Sequence, residues 1–418
     1  MTDSTTVAEA TPPSETDAAK VERVRAELPA TLRTVYLNAG TCGPLPRRTI
    51  AAMQAQQEQE LLHGRIAPDH YPAISAAVKE VKAAVANVLH CDPTELALSR
   101  HTTDGMNIAV AGYSWQRGDE ILTSNIEHPG GLYPIFLAKR RFGVRMRVAD
   151  IGLGGGPTEE IVGAFERMIT PRTRMLVLSH ISYTTGAVLP LKAIVAMAHS
   201  HDVLVTVDAA QSYGQIPLDL HDLGVDYYAC PGQKWMCGPE GTGVFYARAS
   251  SLGEIEQTFV GGFSAPFGPI DYYGATFPPA AGSARFDVGS VNLPLLVGQK
   301  TSTEWIADDG EVGLDWATTR ISRLGRYARQ ALSQLAGVRV VTPEDRMAGL
   351  LSFTVAGIDP EDLTNRLHTE HNITLRFVAQ YINNPRAARI AVGFYNTEAE
   401  IDRLCEAIQV IQTIQRAL

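Results

Sequence analysis

Between residues 225 and 246 a single lysine, Lys234, sits in an otherwise apolar and aromatic run, with Gly232, Gly238, Pro239, Gly241 and Gly243 around it. Short strand-like runs lead in (Tyr227-Tyr228-Ala229-Cys230) and out (Val244-Phe245-Tyr246). A lysine in such surroundings does nothing for solubility. Desolvation disfavours its ammonium, and the neutral amine is a nucleophile able to form a Schiff base with an aldehyde. An ordinary lysine at a glycine-rich turn between two strands would show the same local composition, so a second feature has to decide.

That feature lies upstream, in Val203-Leu204-Val205-Thr206-Val207-Asp208-Ala209-Ala210-Gln211. It reads as a buried strand that delivers Asp208 at its C-terminal edge, where open α/β sheets bind ligands. A carboxylate beside a pyridine nitrogen keeps that nitrogen protonated, and the protonated ring then acts as an electron sink. Asp208 and Lys234 therefore read as a pair serving pyridoxal 5′-phosphate (PLP).

At 418 residues the chain exceeds one typical core. The expected division is a disordered tail over 1–20, a large PLP-binding domain over 48–300, and a small α+β domain made of 21–47 with 301–418. The net charge of −9, without a basic block, argues against nucleic acid or an anionic membrane as partner. No apolar run is long enough to span a bilayer. The five cysteines, Cys42, Cys91, Cys230, Cys237 and Cys405, are odd in number and scattered. Neither a disulfide framework nor a metal site is expected, and a reducing, cytoplasmic compartment is. The first twenty residues have neither the basic start nor the apolar core of a signal peptide.

Along the chain, strand-like runs alternate with helical ones: 96–99, 119–124, 175–179 and 203–208 against 47–63, 73–89 and 191–201. Such alternation implies an α/β fold with a mostly parallel sheet covered by helices on both faces. Thr102 and Thr103 open a helix after the 96–99 strand; free N–H groups there suit a phosphate, and ordinary capping is the alternative. His128 follows the 119–124 strand and either lies flat on an aromatic cofactor or is a surface-turn histidine. Residues 152–156 read as a flexible connector, and 259–292 as loop.

Together these segments resemble the class V aminotransferase branch of the fold type I PLP enzymes, which includes cysteine desulfurases, cystine C–S lyases and isopenicillin N epimerase. The likeness runs from about Leu37 to the C-terminal helix. It implies a seven-stranded type of sheet, Lys234 as the Schiff-base lysine, Asp208 as partner of the ring nitrogen, Gln211 as a donor near the ring oxygen and His128 stacked on the ring. Thr102 and Thr103 would join a phosphate cup, with Ser290 reaching the phosphate of the neighbouring subunit of a homodimer. Two departures stand out. Gln233 and Pro231 occupy positions where the family has a histidine and a serine that help the cup. The 376–389 interval, which in desulfurases carries the mobile-loop cysteine, contains none.

Its arginines, Arg376 and Arg389, remain to grip an α-carboxylate in bidentate fashion. Asn38 and Tyr183 complete the expected substrate contacts, Tyr183 standing where desulfurases have asparagine. The resemblance implies a PLP-dependent lyase that expels sulfur from Cβ of cysteine, cystine or a cysteine S-conjugate and yields pyruvate, ammonia and a sulfur-containing product. Epimerisation or transamination of an amino acid starts from the same carbanion; an epimerase needs a second proton donor on the opposite ring face, which the sequence does not identify, Tyr183 and His180 being the candidates. A desulfurase or a non-catalytic PLP-fold protein is the remaining alternative.

Overall fold

The computed structural model describes residues 16–417 apart from 66, 67, 69 and 380–385. Its centre is a seven-stranded sheet in the order Leu96–Ser99, Gly243–Ala247, Tyr227–Pro231, Leu204–Asp208, Thr173–Ser179, Glu120–Ser124, Arg145–Ala149. Gly243–Ala247 runs antiparallel to both neighbours, and the other pairings are parallel.

Side chains alternate across a strand, so an element buried on both sides must be apolar at consecutive positions. Leu122, Leu176, Leu178, Val205, Val207, Tyr228 and Tyr246 join one core cluster. Their strand neighbours Ile121, Met175, Val177, Tyr227 and Phe245 join another on the opposite face. This is the helix-covered α/β sheet that the alternating runs imply.

A second, four-stranded antiparallel sheet is ordered Arg376–Val378, Ala387–Ala391, Leu350–Val355, Val338–Val340. The helices Leu314–Ser333, Pro360–His371 and Glu398–Ala417 cover it through Leu324, Ala328, Leu363, Leu367, Leu404 and Ile408. The N-terminal segment is tied to this half, because Val35–Tyr36 pairs with Ile373–Thr374 and Asn38 bridges to Ala391.

Two expectations need correction. The unstructured tail does not reach residue 20: Thr16 caps a helix, Asp17–Glu27, by accepting from Ala19 N at 3.3 Å. Asp17 in turn accepts from Trp316 Nε1 and Arg320 Nη1, each at 2.7 Å, so a charge pair with a distant helix holds this end. Residues 1–15 of the expected tail lie outside the described residues. The segment 152–156 is a pinned seam and not a loose connector. Gly156 N donates to Asp345 at 2.9 Å, Gly156 O accepts from Arg346 Nε at 2.9 Å, and Gly152 O accepts from Asn125 at 3.0 Å. A Cβ on Gly155 would stand 2.6 Å from the Pro343 Cβ, so glycine is what lets the two halves close at this point.

Candidate active site

Asp208 ends the strand Leu204–Asp208, and its backbone pairs with Ala229 on the strand Tyr227–Pro231, which leads into Lys234. The two side chains thus rise from neighbouring strand ends, both at the carboxyl edge of the sheet. Asp208 is 4% exposed and accepts from Ala210 N at 2.9 Å. Lys234 keeps part of its surface open, yet the protein around it lowers its pKa from the ordinary 10.5 to about 8. Burial is the main cause and Arg389 and Arg376 add to it, while Asp208 pulls the other way.

The backbone there is tightly held. Gly43 N donates to Gln233 O at 2.7 Å, and a Cβ on Gly43 would fall 2.2 Å from Lys234 O, so no larger residue fits beneath this turn. Cys237, with φ 52°, is a buried non-glycine residue in the left-handed region, a conformation retained only where the surroundings enforce it.

A lysine of this kind reacts as an amine at unusually low pH. Modification of the cofactor-free protein by an amine reagent is expected to show a Lys234 midpoint near pH 8, and Asp208→Asn moves it lower still, because the carboxylate favours the ammonium. A midpoint near the ordinary 10.5 would show a hydrated, unactivated lysine.

His128 caps the helix Pro129–Phe142, its Nδ1 accepting from Gly130 N at 2.9 Å. Its ring meets Tyr183 edge-on, with centroids 4.6 Å apart at 89°, and its residual surface is exposed. Burial, Lys234 and the two arginines hold this imidazole below its ordinary pKa despite Asp208. Gln211 is buried with both ends of its amide engaged: Nε2 donates to Gly40 O at 2.9 Å and Oε1 accepts from Trp235 Nε1 at 3.0 Å. One further N–H is left for a ligand.

Thr102 opens the helix Thr102–Gly112, and its buried Oγ1 has no partner among the described residues; nor has Gln233 Oε1. Thr103 is half-buried in the same turn, its carbonyl accepting from Asn107 at 2.8 Å. Ser290 stands apart from this group, exposed in a separate groove with Ser99, Arg100, Asp104 and Asn107.

On the other side lies Arg389, 2% exposed, which donates through Nη1 to Tyr183 O and through Nη2 to Thr41 Oγ1, both at 3.1 Å. Thr41 Oγ1 in turn donates a hydrogen bond to Asn38 Oδ1 at 2.8 Å. Arg389 Nε is buried without a partner, and no carboxylate of the described residues pairs with this cation. Burial and the neighbouring Arg376 press its guanidinium below the ordinary arginine range. Arg376 is exposed and faces Arg389 directly in the antiparallel register. A buried guanidinium lacking its anion is costly unless a ligand supplies one.

Thr41 and Trp235, which orient Arg389 and Gln211, were not picked out from the sequence. Both roles depend on partners far away in the chain, Arg389 for Thr41 and Gln211 for Trp235.

A phosphorylated pyridine aldehyde suits these groups. They comprise a carboxylate at a strand end, an imidazole with an open face, an amine neutral near pH 8, and unpartnered Thr102 Oγ1 at a helix N-terminus. The model of the aminotransferase class-V family matches residues 35–404. The chain belongs to that family. It is 27% identical to a probable cysteine desulfurase of Methanothermobacter thermautotrophicus over 94% of this chain and 98% of the relative. It is 29% identical to a cysteine desulfurase of Klebsiella pneumoniae, over the same shares of each.

Among solved structures, the cystine C–S lyase C-DES in complex with its product cysteine persulfide aligns with a TM-score of 0.84 and 30% identity, covering 91% of this chain and 98% of that one. A lysine-to-alanine variant of C-DES, with glycine covalently linked to its PLP, aligns equally well. This class-V chain is therefore a fold type I PLP protein, and PLP is its cofactor. No helix among the described residues is long and apolar enough to cross a membrane.

Proposed function

We propose that the protein is a C–S lyase that eliminates sulfur from Cβ of cysteine, cystine or a cysteine S-conjugate, and that it releases pyruvate, ammonia and a sulfur-containing product. The observation that carries this is Arg389, a buried guanidinium unmatched by any carboxylate of the described residues, together with Lys234, an amine whose pKa burial lowers to about 8. An α-carboxylate supplies the missing anion and sets Cα within reach of Lys234.

Bound PLP supplies the electron sink for the charge left at Cα. Lys234, in its amine form, would take the Cα proton; Asp208 would keep the ring nitrogen protonated, and His128 would help to hold the ring. Thr102, Thr103 and Gln233 would hold the phosphate, and Gln211 has one N–H left for the cofactor. Asn38, through Thr41, and Tyr183 hold Arg389 in place. A sulfur leaving group departs with little acid assistance, so one base is enough.

Arg376 and Arg389 face each other on paired strands, where like charges repel, and a substrate carboxylate between them relieves that repulsion. The likeness to C-DES, a cystine C–S lyase, supports cystine among these substrates.

A desulfurase mechanism needs a thiol positioned to take the sulfur, and the carbon product is then alanine. No cysteine occurs in 376–389. Of the five, Cys42 is the one whose thiol feels Lys234 and Arg376, and burial together with its bond to Glu240 pushes it up to about 11, far from a ready thiolate. Replacing all five cysteines by serine or alanine is expected to leave pyruvate formation largely intact in a folded variant. Alanine as main product, lost with one cysteine, would overturn the lyase reading.

We infer further that two copies assemble. Phe259, Phe267, Ile270, Tyr272 and Tyr273 are 70–103% exposed, more apolar surface in one stretch than a monomer ordinarily leaves in water. It adjoins the groove of Ser290, to which Phe259 contributes, so a symmetric partner would bury it and bring Ser290 to the neighbouring phosphate. Sedimentation at micromolar concentration is expected to give a dimer; a monomer with full PLP occupancy would contradict it.

A further inference from the structure

Directly before His128 in the chain stands Glu127, a second buried carboxylate, 4% exposed. Every hydrogen bond it makes is one it accepts. Ser179 N and Ser179 Oγ donate to its Oε2 at 2.7 and 2.6 Å, and Ser124 Oγ donates to its Oε1. Three donors converging on a carboxylate favour its ionised form. Ser179 is also the cross-strand neighbour of Asp208. The Asp208 Oδ2 lies 3.8 Å from the place where a Cβ on Gly131 would stand, in the first turn of the helix that His128 caps. One hydrogen-bonded cluster therefore joins the strand bearing Asp208 to the helix start bearing His128, and Glu127 is at its centre.

Neither Glu127 nor Asp208 forms an ion pair among the described residues. Two buried carboxylates that feel each other and form no ion pair are unfavourable together, and a positive group bound in the open site relieves this. We propose that Glu127 is a positioning residue whose charge acts together with Asp208 to keep the pyridine nitrogen of bound PLP protonated, while its serine contacts hold the Asp208 strand and the His128 cap in register. The proposal rests on Asp208 facing that nitrogen.

The acid–base setting agrees. Burial raises the Glu127 carboxyl to about 7 and Asp208 adds to the rise, whereas Ser124 and Ser179 oppose it. The carboxyl is thus poised to ionise near neutral pH, and a cationic ring would draw it to the charged form. The other titratable groups around it are His180, whose imidazole burial pushes down to about 4 and which meets the Tyr228 hydroxyl at 3.1 Å, and His128. Lys234, Arg376 and Arg389 act electrostatically on His128 and are not among the groups that shift Glu127.

Glu127→Gln keeps the shape and an acceptor for Ser179 but removes the charge. The test is a pH titration by nitrogen-15 NMR of PLP labelled at its pyridine nitrogen in wild type, Glu127→Gln and Asp208→Asn holoenzymes, with PLP content measured in each. The protonation midpoint in Glu127→Gln is expected to fall by roughly half a pH unit or more, since a nearby anion has been lost, with PLP content unchanged. An unchanged midpoint in Glu127→Gln, while Asp208→Asn shifts, would overturn the inference and leave the role of Asp208 standing. Unchanged midpoints in both would overturn that role, and this inference with it. Should Glu127→Gln fail to fold, Ser179→Ala removes one donor and keeps the carboxylate; its midpoint is expected to fall in the same direction, and no shift overturns the proposal.

Discussion

Lys234→Ala is expected to abolish turnover, lowering kcat by at least about 10⁴-fold, because the residue is asked both to hold the cofactor covalently and to move the Cα proton. The folded protein should still form, since the side chain contributes a desolvated amine and no ion pair among the described residues. Its visible absorbance should vanish together with borohydride trapping. A reducible PLP adduct on another lysine, or activity within tenfold of wild type, would remove Lys234 from the centre of the site.

Arg389→Ala is expected to act on KM more than on kcat. The guanidinium is 2% exposed, with its amino groups committed to Tyr183 and Thr41 and its Nε unpartnered. A desolvated carboxylate contact of this kind contributes about 2–4 kcal/mol, so KM should rise about 30- to 1,000-fold. Arg389→Lys should recover little of it, because an ammonium cannot reproduce the planar fork. Apoprotein stability is expected to change little or to increase, since a buried cation without a protein anion is lost. An unchanged KM with a large fall in kcat would mean that Arg389 serves the reacting atoms and not the carboxylate.

How far the site is legible in the sequence follows from how each residue is placed. Asp208 ends a strand buried on both faces and Lys234 follows another in the turn after Pro231, and such strands announce themselves as apolar runs beside which a charged residue is conspicuous. The helix expected from residue 47 to about 63 is Arg47–His63, between Pro46 and Gly64. The edge strand Arg145–Ala149 is not among the expected strands although Arg145-Met146-Arg147-Val148 alternates polar and apolar, because the alternation is too short to stand alone and its pairing with Glu120–Ser124 is what makes it a strand. The glycines at 152–156 were misread, since flexibility and close approach use the same residue and only the opposing Pro343 and Asp345 tell them apart.

From the order of residues alone come the α/β alternation, the Asp208 and Lys234 chemistry, and the lack of a cysteine in 376–389, all of them properties of short segments. The folded chain decides the rest. It sets Arg376 opposite Arg389, leaves Arg389 without an anion, joins Asp17 to Arg320 across 303 positions, and brings Glu127 through Ser179 to Asp208. Charge, burial and hydrogen bonding act through space, and residues distant along the chain become neighbours only when the sheets have formed.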